Sequence, residues 1–169
     1  MVSVVVSHLI GTISLIIIFS IVGTYCNIYF SFLQSDVIAS NLQEVSEYCS
    51  AELVDLATIC SQSAENQMLF IKLEVPESIK GNAYTLTTAH TESLYEVVAQ
   101  LISSPSVFGE SFLPWSVGGN MAVFNGTDPG INNPRVNPKI SVSSLSANLI
   151  IWCLKKDGRM TIGLGEMEA

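Results

Sequence analysis

The stretch MVSVVVSHLIGTISLIIIFSIVGTYCNIYFSFLQS, residues 1–35, contains no Asp, Glu, Lys or Arg and is rich in Val, Ile, Leu and Phe. As a helix it would run about 52 Å at the standard rise, whereas a bilayer core takes only about 20 apolar residues. Something other than one membrane has to accept the surplus. Small and weakly polar residues, among them Ser7, His8, Thr12, Ser20, Thr24 and Ser31, are scattered along it, and no proline interrupts it. Small residues let helix backbones approach closely, and Ser and Thr hydroxyls bond back onto their own helix. The composition therefore predicts a helix that packs among other helices. The side chains expected to carry that packing are Val4, Val5, Leu9, Ile10, Leu15, Ile16, Ile17, Phe19, Ile21, Val22, Ile28, Phe30 and Phe32, with Gly11 and Gly23 as points of close approach or local unwinding.

Beyond Ser35 the pattern changes character without a break. No Pro or Gly appears before Pro76, and apolar residues recur at Ile38, Leu42, Val45, Cys49, Leu53, Leu56 and Cys60, in steps of 4, 3, 4, 4, 3 and 4. This spacing holds one helical face across several turns, so the helix is expected to continue to about Ser63. It would be about 90 Å long, apolar all round in residues 1–35 and amphipathic in 36–63. The amphipathic half is expected to lay its stripe on a globular head formed by residues 64–169. About 100 residues suffice for one modest domain and leave no room for a second.

The charge balance narrows the function. Seven Lys plus Arg stand against fifteen Asp plus Glu, and every basic residue lies at Lys72 or later, which excludes a nucleic-acid footprint. The segment 36–65 carries Asp36, Glu44, Glu47, Glu52, Asp55 and Glu65 with no compensating base. Neither end of the apolar stretch offers the Lys or Arg that orients a membrane helix. That stretch is also too long, and its start too neutral, for an ordinary secretory signal.

The head reads as mostly β. Residues 69–75 partly alternate and end at Pro76; residues 83–88 follow a turn at Lys80-Gly81-Asn82, and together these predict a β-hairpin. Residues 92–103 suit either helix or strand, with strand favoured. Residues 104–139 hold five prolines and several glycines, with Phe108, Phe112 and Trp115 among them, and are expected to form long surface loops anchored by aromatics. Order returns with a short strand at 139–143, a buried strand at 148–155, an Asp157-Gly158 turn and a returning strand at 159–165. The predicted class is α+β, a long N-terminal helix followed by a mostly antiparallel head of the sandwich type.

Constellations for chemistry are sparse. His8 and His90 lack a partner at metal-ligand spacing, no serine stands in a G-x-S-x-G elbow, and Gly118-Gly119 is followed by Asn120-Met121 rather than a phosphate-binding Gly-Lys pair. His90 reads as part of a solvated turn. No catalytic residue, cofactor or metal is expected. Asn125-Gly126-Thr127 is an N-glycosylation sequon in the Pro/Gly-rich region. The four cysteines, Cys26, Cys49, Cys60 and Cys153, are too few for a disulfide scaffold. Cys49 and Cys60 lie nearly three helical turns apart and cannot bond each other. Cys153 is expected either to pair with Cys49 or Cys60 or to remain, like Cys26, a buried thiol.

An uncharged helix that runs into an amphipathic helix and a β-rich head resembles the archaeal type IV pilin and archaellin superfamily. The residues carrying the resemblance are VVVSHLIGT at 4–12, Phe32-Leu33-Gln34-Ser35 at the exit, Glu47-Tyr48 with Glu52-Leu53-Val54-Asp55-Leu56, and LEVPESIKGNAY at 73–84. It extends to about residue 86. Val5 stands where bacterial-type pilins have Glu, which agrees with archaeal members. Family precursors carry a short basic peptide cut before the helix; none is seen, so numbering starts after the cut or the member is uncut. The resemblance implies a non-enzymatic subunit of an extracellular filament, membrane-inserted before assembly, polymerising with copies of itself and serving adhesion or motility. An uncut member would instead be a membrane-anchored accessory protein whose head contacts the cell envelope.

Overall fold

The computed structural model describes residues 2–64, 66–127 and 134–168, with side chains from Val6 onward except that of Ser7. The fold is α+β. Helix α1 spans Val2–Gln62, ending one residue short of the expected position and running unbroken through Gly11 and Gly23, so neither glycine unwinds it. By its contacts the chain forms two units, Met1–Val37 and Ile38–Ala169. The boundary falls two residues past the uncharged stretch, so the amphipathic half of the helix belongs with the β head.

In the second unit the 4-3-4 stripe is the helix's buried face. Leu42, Val45, Cys49, Leu53, Leu56 and Cys60 are buried, joined by Ala57 and by Ser46, and Ile38 is half-buried. The Ser46 hydroxyl is satisfied by donating to the Gln43 carbonyl at 2.8 Å. Nine strands follow: β1 Gln67–Lys72, β2 Tyr84–His90, β3 Leu94–Leu101, β4 Phe108–Ser116, β5 Met121–Val123, β6 Val136–Lys139, β7 Ser141–Ser143, β8 Leu149–Lys156 and β9 Arg159–Met167. One sheet has the order β4-β3-β2-β7. The other has the order β1-β8-β9-β5, with β6 also on β9. All pairings are antiparallel except β5 with β9. The outer edge of β9 is shared: its first half takes β5 and its second half β6.

Both sheets and the helix stripe supply one core, with Leu86, Val97, Ile151, Cys153 and Ile162 packed alongside Leu53, Leu56 and Cys60. Alternation in β2 and β3 turns one face inward, as period 2 requires. Strand β8 differs, since Leu149 to Leu154 are all buried. Its second face carries Ile150, Trp152 and Leu154, covered by Phe124 and Val136. Trp152 stacks edge-on against Phe124 with centroids 5.5 Å apart and donates its indole N–H to the Leu164 carbonyl at 2.8 Å. It lies flat over β9 because Gly163 and Gly165 carry no Cβ: one at Gly163 would meet the indole at 2.9 Å.

Four sequence expectations are corrected. The turn at Lys80-Gly81 forms, closed by an Ile79–Asn82 bridge, but the hairpin does not. Strand β1 pairs with β8 in one sheet and β2 with β3 and β7 in the other. Residues 104–139 are not simply loops, for they contain β4, β5 and β6; residues 128–133 lie outside the described set. The strand expected at 139–143 is two strands, β6 and β7, in different sheets. His90 ends β2 rather than lying in a turn. The ambiguous segment is strand β3, and the Asp157-Gly158 turn forms with φ of 50° and 75°, joining β8 to β9.

Candidate assembly surface

The most distinctive chemistry of the molecule is the surface of its first unit. Leu9, Ile10, Leu15, Ile16, Ile17, Phe19, Ile21, Val22, Ile28, Phe30 and Phe32 are all exposed, between 51% and 68%. Successive residues on a helix differ by about 100°, so the run from Leu15 to Phe19 alone covers the full circumference. There is no polar face. Val4 and Val5 lie within the helix, but their side chains fall outside the described residues.

Four of the hydroxyls on this surface bond back onto the helix itself. Thr12 donates to the His8 carbonyl at 2.8 Å, Ser20 to Ile16 and Thr24 to Ser20 at 2.9 Å each, and Ser31 to Asn27 at 3.0 Å. Such back-bonding lets Ser and Thr sit in an apolar medium without losing a water partner. Gly11 and Gly23 leave open ground, with nothing within 4 Å of where a Cβ would stand. With a mean hydropathy of 2.2 over its most apolar window, the helix is long and apolar enough to cross a membrane.

Comparison with family models, curated proteins and solved structures finds no match to this chain. Function has to be argued from the site itself.

The sequon directly follows Phe124, which covers the second face of β8. Asn125 is exposed, and its Oδ1 accepts a hydrogen bond from the Thr127 backbone N–H at 3.2 Å, an Asx-turn that presents the side chain at the surface. Of the cysteines, Cys26 is exposed on the first unit, whereas Cys49, Cys60 and Cys153 are buried in the second. The structure separates the two partners offered to Cys153. Cys49 lies toward Tyr84, and burial pushes its thiol up to about 12. Cys60 instead meets Cys153, whose thiol is raised by burial and then by hydrogen bonding to Cys60.

Among the described residues no three His, Cys, Asp or Glu side chains are grouped to hold a metal ion. A cleft of about 450 Å³ opens between Asn41, Glu44 and Tyr48 of α1 and residues 74–80. Burial, then the charge of Glu52, raises the Tyr48 phenol. The lining of the cleft includes the carboxylates of Glu44 and Glu74.

Sequence reasoning missed the seat of α1 on β4. The Gln43 amide lies along the strand as a substitute partner, its Nε2 donating to the Glu110 carbonyl at 2.8 Å and its Oε1 accepting from the Glu110 N–H at 3.0 Å. Gly109 makes the approach possible, because a Cβ there would stand 2.2 Å from the Gln43 nitrogen. In sequence this glycine reads as a loop signal. Phe108 and Phe112 are exposed on the outer face of β4, and Trp115 is half-buried against the core.

Proposed function

We propose that this chain is a structural, non-enzymatic subunit of an extracellular filament of the archaeal type IV pilus kind, polymerising through the first unit of its helix. One observation carries the reading: a helix surface that is apolar around its whole circumference, has four of its hydroxyls bonded back onto the helix, and is longer than one bilayer can cover. In water, burying a large aliphatic or aromatic side chain is worth about 1.5–3 kcal/mol. Leaving eleven such side chains in water would cost upward of about 16 kcal/mol, so the helix has to be covered at every stage, by lipid or by other copies.

The helix need not meet water between synthesis and assembly. A bilayer holds the subunit until it joins the filament, and transfer from lipid to a helical core exchanges one apolar medium for another. Close packing then decides the outcome, which gives Gly11 and Gly23 their role as sites of backbone approach. A head-to-tail interface that does not close on itself produces an open helical polymer. A glycan at Asn125 would solubilise the outside of that polymer.

Electron microscopy of material sheared from the cell surface, with an antibody against the head, tests the reading. Labelled filaments are expected. Recovery of the chain only as discrete membrane-anchored monomers would overturn it and favour an accessory protein whose head contacts the envelope.

A further inference from the structure

The second unit holds three buried thiols, and the filament reading uses none of them. Two are brought together by elements far apart in sequence. Cys60 lies in the last turn of α1 and Cys153 in the middle of β8; both are fully buried in the same core, and Cys60 stands near enough to raise the Cys153 thiol beyond what burial alone does. A separate contact fixes the same juxtaposition. Lys155 follows Cys153 by two residues, on the same face of the strand, and its ammonium donates to the Ser61 and Ser63 carbonyls at 2.9 Å each. These carbonyls belong to the helix C-terminus, where backbone acceptors lack intrahelical donors and a cation is favoured. The strand is therefore held in register with the helix end immediately beside the cysteine pair. Leu69 and Ile162 flank Cys153 on the neighbouring strands, so the pair sits in apolar surroundings.

We propose that Cys60 and Cys153 are joined by a disulfide that staples the end of α1 to β8, while Cys49 and Cys26 remain thiols. The oxidant is a disulfide of the small-molecule or protein dithiol class. One cysteine thiolate attacks it, expelling one thiolate and forming a mixed disulfide; the second cysteine thiolate then displaces the other half. Two protons and two electrons leave the protein with the oxidant, which departs as two thiols. Because both sulfurs are buried in the finished fold, the exchange takes place before the core closes, and the closed dithiol is slow to react. The bond would tie the helix to the penultimate strand of the head across most of the sequence of the second unit. The inference rests on head geometry alone and stands or falls independently of polymerisation.

Proteolysis after Glu and Lys suits the test, since it places Cys49 in residues 48–52, Cys60 in 53–65 and Cys153 in 140–155. The full chain, refolded into detergent micelles in a glutathione redox buffer, is quenched with acid, alkylated under denaturing conditions and mapped without reductant. The expected result is a linked 53–65/140–155 pair with two of the four cysteines alkylated, all four being alkylated after reduction. Cys49→Ala should leave the linked pair intact, and Cys60→Ala should abolish it. Four alkylated cysteines in the oxidised sample, or a 48–52/140–155 link, would overturn the proposal. The wild-type map decides between these results even if Cys60→Ala does not fold.

Discussion

Replacing Gly109 by Ala tests how the helix is seated on the head. The new Cβ would lie 2.2 Å from the Gln43 nitrogen and 2.5 Å from the Gln43 Cα and the Leu42 carbonyl carbon. These are backbone atoms within a helix, so no rotamer change relieves the clash, and α1 must shift away from β4. Overpacking of this kind costs about 1–3 kcal/mol. The shift also breaks the two hydrogen bonds between the Gln43 amide and Glu110, each worth about 0.5–1.5 kcal/mol net. The expected loss is about 2–6 kcal/mol. At a few degrees per kcal/mol for a domain of this size, Tm should fall by at least about 6 °C. Near-ultraviolet circular dichroism of the full chain in micelles, reporting on Trp115 and Trp152, would follow the transition. Gln43→Ala removes only the hydrogen bonds and should cost about 1–3 kcal/mol, so the difference between the variants isolates the close approach. A Gly109→Ala protein within about 0.5 kcal/mol of wild type would refute this seating.

Gly23→Leu should abolish or sharply reduce filament yield while leaving the head's Tm unchanged, because the glycine touches nothing within its own chain; normal filaments would remove its packing role. Trp152→Ala should cost about 3–5 kcal/mol in denaturant unfolding, since it leaves a cavity on the second face of β8 and deletes the Phe124 stack and the bond to Leu164. Burial, with a contribution from Cys49, raises Tyr84 from 10.0 to about 12, and burial raises Cys49 from 9.0 to about 12. The unfolded chain releases these protons first, so stability should be full below about pH 9 and fall as pH rises toward 12. Tyr84→Phe should flatten part of that fall, and an unchanged alkaline slope would contradict its assignment.

The helix was legible because its signals are local. The uncharged run and the 4-3-4 stripe act within a few turns, and both survive in the structure. The all-apolar run at β8 and the Asp157-Gly158 turn were legible for the same reason. The losses were of long-range pairing. Residues 69–75 and 83–88 look like a hairpin around a real turn, yet β1 finds β8 across the whole head, and nothing near Lys80-Gly81 announces that partner. Strand β4 was hidden by its own punctuation. Gly109 is there to admit the helix, and Pro114 is tolerated because an edge strand needs fewer backbone donors. Likewise, spacing left Cys49 and Cys60 as equal partners for Cys153, and only the register of β8 against the helix end separates them.

Helical reconstruction by cryo-electron microscopy of filaments assembled from this chain tests the central claim most directly. The account predicts a core of closely packed α-helices in which the side chains from Val6 to Leu33 lie in contact with neighbouring copies and the heads face outward. Filaments joined through the heads alone, or particles whose N-terminal helices lie singly in lipid or detergent, would contradict it.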